Sequence, residues 1–362
     1  MNALVWADAA SPEEGASQAN ALFRDAFGYE PRGVWSAPGR VNIIGEHVDY
    51  NGGPCLPIAL PHRAYVALSP RADRTIRLIS PQTRDAVDVL DLDVLGPKGG
   101  PGEVTNHWTA YLAGVAWALE KAGHGPIPGF DAALWSCVPL GGGLSSSAAL
   151  ECATAVALDE VCSLGLAGPL ESPNDEGRRE LVDAARVAEN QIAGANTGGL
   201  DQTASMRCQE GHALALDCSD MSTRQVPFDL GGVGLELLVI DTRAKHSLAD
   251  GQYGSRRADC EESARLLGVR QLATRRTWTR QSQPSGTSAW PLARGTSSPR
   301  LRARAPSLSC LTRGRWRGAA SPWPEPSCMT PTNRCATTTR SAAPSWTLPS
   351  RPPALPGPTA PA

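Results

Sequence analysis

Hydrophobic and polar residues follow helical or strand periods over about the first 270 residues of the chain. Four segments have the spacing or composition of helices, at residues 16–27, 107–122, 148–161 and 178–192. Five runs that alternate or cluster apolar residues predict strands, at residues 62–69, 75–79, 131–138, 212–217 and 234–241. Residues 261–267 open a further helix that should continue past residue 270, but the periodicity that would support its continuation disappears after about Val269. The mixture predicts a folded region that contains both helices and strands.

The periodicity ends near Val269, where the composition of the chain changes. Residues 271–362 contain 13 arginines, no lysine and one acidic residue, whereas the whole chain has a formal net charge of −2. Proline, serine, threonine and arginine dominate this region. Such a segment buries too little apolar surface to offset the entropy of ordering, which predicts a disordered tail. Five of the ten tryptophans also lie in it, however, and disordered segments are usually poor in aromatic residues.

The other bulk properties are those of an ordinary soluble globular protein. The chain has 362 residues, which is long enough for two domains or one two-lobed domain. No apolar run approaches the roughly 20 residues of a membrane span, and residues 1–8 lack the pattern of a secretion signal. The ten cysteines are scattered without zinc-type spacing. We therefore expect a cytoplasmic protein that does not bind a membrane.

A loop rich in glycine and serine separates the predicted strand 131–138 from the predicted helix 148–161. Residues 139–151 read Pro-Leu-Gly-Gly-Gly-Leu-Ser-Ser-Ser-Ala-Ala-Leu-Glu. The glycines let the backbone approach a ligand closely, and the beginning of a helix presents N–H groups and a positive dipole to an anion. The serine hydroxyls add phosphate donors, and one of them could reach a bound Mg²⁺. The pattern fits a triphosphate site, but an ordinary capped turn fits it equally, because the lysine of a P-loop and the spaced glycines of a dinucleotide loop are both missing.

Further sequence blocks carry a resemblance to a known family. The first block, residues 38–51, reads Pro-Gly-Arg-Val-Asn-Ile-Ile-Gly-Glu-His-Val-Asp-Tyr-Asn. The others are Ala188-Glu189-Asn190, Gly198-Gly199-Leu200-Asp201-Gln202, His246-Ser247-Leu248, Tyr253 and Arg256-Arg257. Together with the glycine-serine loop, these blocks resemble the galactokinase family over about residues 20–269. That family belongs to the superfamily of galactose, homoserine, mevalonate and phosphomevalonate kinases.

The resemblance implies an α+β fold of two lobes with the nucleotide between them. Residues 1–205 would form the N-terminal lobe with the sugar site and the ATP-binding loop, and residues 206–269 would begin the C-terminal lobe. Residues 270–362 would be an aberrant, basic and disordered tail, which leaves the C-terminal lobe incomplete. The last glycine-rich block of the family is absent. Because one choice of codons for residues 328–347, read one base earlier, gives a segment that resembles the family, we hypothesise a shifted reading frame, which the gene sequence would test.

The resemblance also implies roles for individual residues. Asp201 would accept the proton of the sugar hydroxyl, and Arg40 would stabilise the charge on the transferred phosphoryl group. The residues expected to bind the sugar are Glu46, His47, Asp49 and Tyr253. Those expected to contact the nucleotide are Ser80, Gly141, Gly142, Gly143, Leu144, Ser145, Ser146 and Ser147. Ser147 and Glu189 would hold Mg²⁺.

The implied activity is transfer of the γ-phosphate of ATP to D-galactose, which gives α-D-galactose 1-phosphate in the Leloir pathway of galactose metabolism. ATP and Mg²⁺ would be required, and a monomer is expected. A kinase for a related sugar, such as N-acetylgalactosamine or arabinose, is an alternative, and so is a galactose and ATP sensor without catalysis. Such a sensor is expected to lack part of the Ser-Ser-Ser-Ala-Ala sequence, which is complete here at residues 145–149. Nucleic-acid binding by the tail is disfavoured because its arginines define no face or helix.

Overall fold

The computed structural model describes residues 6–82, 84–104, 107–169, 172–241 and 252–274 of the chain. These residues all fall in a single compact unit. Most of the predicted tail, residues 275–362, lies outside them, and so does the predicted motif at residues 246–248. The first residues of the predicted tail are described and include a short 3₁₀ turn, Leu272–Thr274. The Ala273 N–H donates to the carbonyl oxygen of Asn51 at 3.1 Å, so the folded region extends a few residues beyond the predicted boundary.

Eight strands in this part of the chain form two sheets. They are β1 (Gly33–Asn42), β2 (Pro54–Cys55), β3 (Pro57–Pro70), β4 (Thr75–Ser80), β5 (Arg84–Asp91), β6 (Phe130–Ser136), β7 (His212–Asp217) and β8 (Ser222–Pro227). The larger sheet has the order β1-β3-β6-β4-β5 and is antiparallel except between β4 and β6. The smaller sheet has the order β2-β7-β8 and is antiparallel throughout. Strand β6 is therefore central in the larger sheet, and the glycine-serine loop follows it.

Six α-helices accompany the sheets in the described residues. They are α1 (Pro12–Phe27), α2 (His107–Lys121), α3 (Ser146–Val161), α4 (Asp175–Val187), α5 (Leu200–Arg207) and α6 (Gln252–Leu267). Helix α1 begins with a capping box, in which the Ser11 hydroxyl and the Glu14 carboxylate each accept from the other residue's backbone N–H. Helix α4 continues into a π-helical turn, Ala188–Ala193. None of the helices described here has both the length and the apolar composition needed to cross a membrane.

Hydrophobic cores lie on the two faces of the larger sheet, and alternate residues of β3 supply them. Val66 and Leu68 are fully buried in the larger core, together with apolar residues of α2, α3 and α4. Tyr65 and Ala67 belong to a second core, in which Phe23 of α1 is also fully buried. The sheet is thus covered by helices on both faces, and the mixed architecture confirms the predicted α+β class.

The predicted strand at residues 234–241 is wrong, because this segment is irregular. Its apolar side chains are exposed, including Leu238 at 63% and Ile240 at 70%. Apolar runs become strands where a hydrogen-bonded neighbour and a packed face are available. No strand pairs with this segment in the part of the chain that the structure describes. The last helix, α6, begins at Gln252, earlier than predicted, and ends before Gly268, which has a φ of 65°, close to the point where the periodicity ends.

Candidate active site

An arginine–aspartate pair joins β1 to α5. Arg40 follows an irregularity in the register of β1, and Asp201 is the second residue of α5. The Arg40 Nε donates to Asp201 Oδ1 at 2.8 Å, and Nη2 lies 2.6 Å from the same oxygen. The two side chains are only 16% and 24% exposed. Water and salt therefore screen this pair less than they screen an ion pair on the surface.

The glycine-serine loop is attached to this pair at three points. The Arg40 backbone N–H donates to the carbonyl oxygen of Leu144 at 3.1 Å, and Arg40 Nη1 donates to that of Gly143 at 2.8 Å. The Ser145 hydroxyl donates to Asp201 Oδ2 at 2.6 Å. Both carboxylate oxygens of Asp201 are thus held, one by the guanidinium and the other by the loop.

The backbone of the loop adopts left-handed conformations at three positions. Gly141, Gly143 and Ser145 have φ angles of 71°, 73° and 59°. Ser145 immediately precedes α3, but its hydroxyl bonds to Asp201 and does not cap the helix. The first N–H groups of α3 therefore lack the hydroxyl cap that an ordinary turn would supply. This geometry favours an anion site over the capped-turn interpretation of the sequence.

A buried carboxylate, Glu189 of the π-helical turn, contacts the beginning of α3. Its side chain accepts three hydrogen bonds, from the Ser147 hydroxyl at 2.9 Å, the Thr197 hydroxyl at 2.7 Å and the Gln202 amide at 2.5 Å. Burial raises the pKa of Glu189, and these hydrogen bonds partly oppose the rise. Ser147 and Glu189 are thus in direct contact. A hydroxyl and a carboxylate are ligands that Mg²⁺ accepts beside phosphate oxygens and water, so this pair fits the predicted metal.

A second buried carboxylate, Glu151, extends this cluster. The Gln202 amide nitrogen also donates to Glu151 Oε2, at 2.9 Å. Glu151 is fully buried, and burial raises its pKa well above the usual range, with further contributions from Glu189 and Asp201. Gln202, which follows Asp201 in the chain, therefore bonds to the carboxyl groups of both Glu151 and Glu189.

Aromatic and acidic residues gather near Asp201 in a separate cluster. The ring of Tyr253 lies 5.3 Å from the ring of His47 and 5.6 Å from that of Tyr50, centroid to centroid. The His47 Nδ1 lies 2.7 Å from the Tyr50 hydroxyl. Burial raises the pKa of Tyr253, and the charges of Asp49 and Asp201 add to this effect. The Tyr253 phenol is therefore close to both carboxylates.

The backbone at Gly198 closely approaches the Asp49 carboxylate in this cluster. A Cβ atom at Gly198 would lie 2.3 Å from Asp49 Oδ2, so a side chain at position 198 would displace the carboxylate. Burial raises the pKa of Asp49, and the nearby charge of Asp201 contributes. Glu46 lies on the same segment between β1 and β2 and is exposed. The cluster thus offers both carboxylate acceptors and aromatic surfaces.

Comparison with known proteins identifies the family. The galactokinase galactose-binding signature matches residues 21–70, and the N-terminal domain of the GHMP kinases matches residues 110–209. The galactokinase of Streptomyces coelicolor is 50% identical over 248 residues, which are 68% of this chain and 60% of that protein. This chain belongs to the galactokinase family.

Two more galactokinases support the assignment. Human galactokinase is 38% identical over 257 residues, which are 71% of this chain and 62% of that protein. The crystal structure of Lactococcus lactis galactokinase complexed with galactose matches with a TM-score of 0.58 and 29% identity, covering 70% of this chain and 63% of that one. The predicted family fold is therefore confirmed. The chain spans 60 to 63% of the length of these three galactokinases.

The structure brings most of the residues predicted from the galactokinase resemblance together. Arg40, Gly143, Ser145 and Asp201 form one hydrogen-bonded group. Ser147 and Glu189 form another, to which Gln202, the residue after Asp201, also bonds. Ser80 is different, because it is 1% exposed at the end of β4, where its hydroxyl accepts from the Gln82 N–H. A nucleotide would contact Ser80 only if its surroundings moved. The roles of all these residues stay predictions.

Sequence reasoning did not single out four residues that contact the site, namely Tyr50, Glu151, Thr197 and Gln202. Tyr50 and Gln202 lie within the motif blocks that carry the galactokinase resemblance. Glu151 lies one helical turn after Ser147, which puts the two residues on the same face of α3. Tyr50 and Thr197 contact residues only three and eight positions away, whereas the contact between Gln202 and Glu151 spans 51 positions and is revealed only by the fold.

Proposed function

We propose that this chain transfers the γ-phosphoryl group of ATP to the anomeric hydroxyl of D-galactose, which gives α-D-galactose 1-phosphate and ADP. The observation that carries the proposal is the hydrogen-bonded cluster of Arg40, Asp201 and Ser145 at the glycine-serine loop. A carboxylate able to accept a proton and a loop suited to phosphates thereby share one site. Membership in the galactokinase family and the galactose complex of the Lactococcus lactis protein support galactose as the acceptor.

The triphosphate is expected to bind along residues 141–147. The uncapped N–H groups at the beginning of α3 and the positive end of its dipole favour an anion there. Ser147 and Glu189 would hold Mg²⁺, which when bound neutralises part of the phosphate charge. Thr197 and Gln202 bond to the Glu189 carboxylate and fix its orientation.

Asp201 is proposed as the base of the transfer. The sugar hydroxyl oxygen attacks the γ-phosphorus, its proton passes to the Asp201 carboxylate, and the bond between the γ-phosphorus and the bridging oxygen of ADP breaks. Arg40 and Ser145 restrict the carboxylate to one orientation, because each bonds to a different oxygen. The Arg40 guanidinium also offsets negative charge on the phosphoryl group during transfer.

The sugar is expected to bind beside Asp201, at Glu46, His47, Asp49 and Tyr253. Carboxylates accept hydrogen bonds from sugar hydroxyls, and an imidazole or a phenol can donate to the hydroxyl oxygens. A mixture of this kind suits a neutral polyhydroxyl ligand. Galactose satisfies it, and the related sugars N-acetylgalactosamine and arabinose are the competitors to be tested.

A cytoplasmic monomer remains part of the proposal. The seven cysteines in the described ranges are all unpaired, which suits a reducing compartment. Gel filtration of the purified chain tests the monomer, and fractionation of the cells that produce it tests the compartment.

The proposed activity is tested by measuring ADP release from ATP by the purified chain with galactose, N-acetylgalactosamine or arabinose. Because the chain spans 60 to 63% of the length of the galactokinases above, a second protein with the frame-corrected C-terminus is assayed in parallel. Galactose-dependent ADP release with formation of the α-1-phosphate supports the proposal. Binding of galactose and ATP without ADP release by either protein would instead identify a sensor.

A further inference from the structure

His47 and Tyr50 form a hydrogen bond that the expected sugar contacts do not explain. The His47 Nδ1 and the Tyr50 hydroxyl oxygen are 2.7 Å apart. The two rings meet edge to face, with centroids 5.9 Å apart. His47 is exposed, whereas Tyr50 is partly buried. The partly buried Tyr50 thus contacts one nitrogen of the exposed His47 imidazole.

The chemistry of the two groups favours one direction for this bond. A phenol is a good donor, and an unprotonated imidazole nitrogen is a good acceptor. Burial raises the pKa of Tyr50 to about 12, so the phenol keeps its proton under ordinary conditions. The phenol proton can therefore be donated to an unprotonated His47 Nδ1, which is consistent with the 2.7 Å contact. The single hydrogen of the neutral imidazole then lies on Nε2.

The surroundings restrict the orientation of the imidazole as well. The Tyr253 ring lies 5.3 Å from the His47 ring at an interplanar angle of 36°. His47 has a φ of 59°, which residues other than glycine adopt rarely. The Asn51 side-chain amide donates to the His47 carbonyl oxygen at 2.9 Å and supports this conformation. Both the backbone and the ring of His47 are thus held in place.

We propose that Tyr50 is a positioning residue that fixes His47 as the Nε2–H tautomer, so that the sugar site contains a neutral N–H donor beside the carboxylates of Glu46 and Asp49. The inference rests on the proposed function in one respect, which is that His47 contacts the sugar. A sugar oxygen at Nε2 must then accept a hydrogen bond. A hydroxyl satisfies the site best, because it accepts from His47 while its own hydrogen is free for a carboxylate.

The tautomer is tested by nitrogen NMR on the full chain labelled with ¹⁵N-histidine, at a pH where imidazoles are neutral. The His47 signals are identified by their loss in His47→Gln. We expect the Nδ1 shift of an unprotonated nitrogen and the Nε2 shift of a protonated one, and in Tyr50→Phe we expect both signals to move toward a mixture. A protonated Nδ1 in the unmodified chain would overturn the proposal, whether or not the chain has kinase activity.

Galactose titration separates this inference from the proposed function. Perturbation of the His47 Nε2 signal by galactose is expected, and its absence with the Nε2–H tautomer present would contradict the sugar contact alone. Tyr50→Phe is expected to raise the KM for galactose roughly three- to tenfold with little change in kcat, because one hydrogen bond that orients a binding group is lost. The matched control is Tyr29→Phe, which removes the hydroxyl that donates to Asp131 at 2.6 Å outside the site and should leave the KM unchanged. An equal KM in Tyr50→Phe and the control would contradict the positioning role.

Discussion

The Ser147 hydroxyl lies 2.9 Å from the Glu189 carboxylate, although 42 residues separate them in the chain. Gln202 bonds to the same carboxylate and directly follows Asp201. The predicted metal ligands and the proposed base are therefore connected through two adjacent residues of the chain, Asp201 and Gln202. A change at one of these residues is expected to affect the others unless it preserves the hydrogen bond.

Ser147→Ala removes the hydroxyl that donates to the Glu189 carboxylate. If Ser147 is a Mg²⁺ ligand, the Mg²⁺ concentration that gives half-maximal activity is expected to rise at least about tenfold. The control is Ser263→Ala, which removes a hydroxyl that donates to the Asp259 carbonyl oxygen on α6. Measurement of the rate against Mg²⁺ concentration decides the matter, and an unchanged dependence in Ser147→Ala would exclude this residue as a ligand.

Asp201→Asn keeps the shape of the side chain but removes the proton acceptor. We expect kcat to fall by about 10²- to 10⁴-fold while the Kd for galactose changes little. The matched control is Asp183→Asn on α4, where the side chain is 50% exposed and pairs with Arg186. Steady-state kinetics and calorimetric titration with galactose are the measurements, and near-normal turnover would show that another group accepts the proton.

Arg40→Lys keeps the positive charge but loses the planar guanidinium group, which can donate several hydrogen bonds at once. A lysine cannot bond to Asp201 and to the Gly143 carbonyl oxygen with the same geometry, so the loop and the carboxylate lose their common anchor. We expect kcat/KM to fall about ten- to hundredfold. Arg24→Lys is the control, because Arg24 is 52% exposed and its partner Glu30 lies outside the site. Equal kinetics in the two variants would remove Arg40 from the mechanism.

Glu151→Gln tests the fully buried carboxyl group. Because burial raises the pKa of Glu151 above its usual value of 4.5, the folded state holds this proton more tightly than the unfolded state. The stabilisation is complete below the unfolded pKa and is lost as the pH rises toward the folded pKa. Glutamine has no such proton, so the variant does not lose stability in this way. The free energy of unfolding of Glu151→Gln minus that of the unmodified chain is therefore expected to increase as the pH rises, by at most about 1.4 kcal/mol per pH unit.

Denaturant unfolding of both proteins at several values between about pH 5 and 8 measures this difference. The control is Glu262→Gln on α6, where Arg265 lowers the pKa of the carboxylate and no gain with rising pH is expected. A difference that stays constant across the range for Glu151→Gln would mean that Glu151 has the same pKa in the folded and unfolded states.

The sequence predicts the glycine-serine loop well because the signal is local. An apolar strand, three glycines and a helix follow one another, and each feature depends on neighbouring residues. The hydrogen bond from Ser145 to Asp201 has no such signal, since 56 residues separate its partners. That bond favours the anion site over the capped turn, and the sequence alone left both interpretations open.

Long-range pairing also explains the elements that sequence reasoning missed. Strand β1 contains Pro38 and Gly39, which disfavour a strand locally, yet it pairs with β3 along most of its length. Residues 234–241 have the opposite character, with strand-forming composition and no paired neighbour among the described residues. Local preference was overridden in both cases by the presence or absence of a partner.

The π-helical turn at Ala188–Ala193 makes the number of residues in this segment important for Glu189. A π-turn holds one residue more than the α-helical register needs, and each residue turns an α-helix by about 100°. Removing a single residue here would restore the α-helical register and swing the following segment, including Thr197, away from the carboxylate that it supports. Insertions and deletions between α4 and α5 are therefore expected to be more damaging than most substitutions there, since they alter the angular phase of the whole segment.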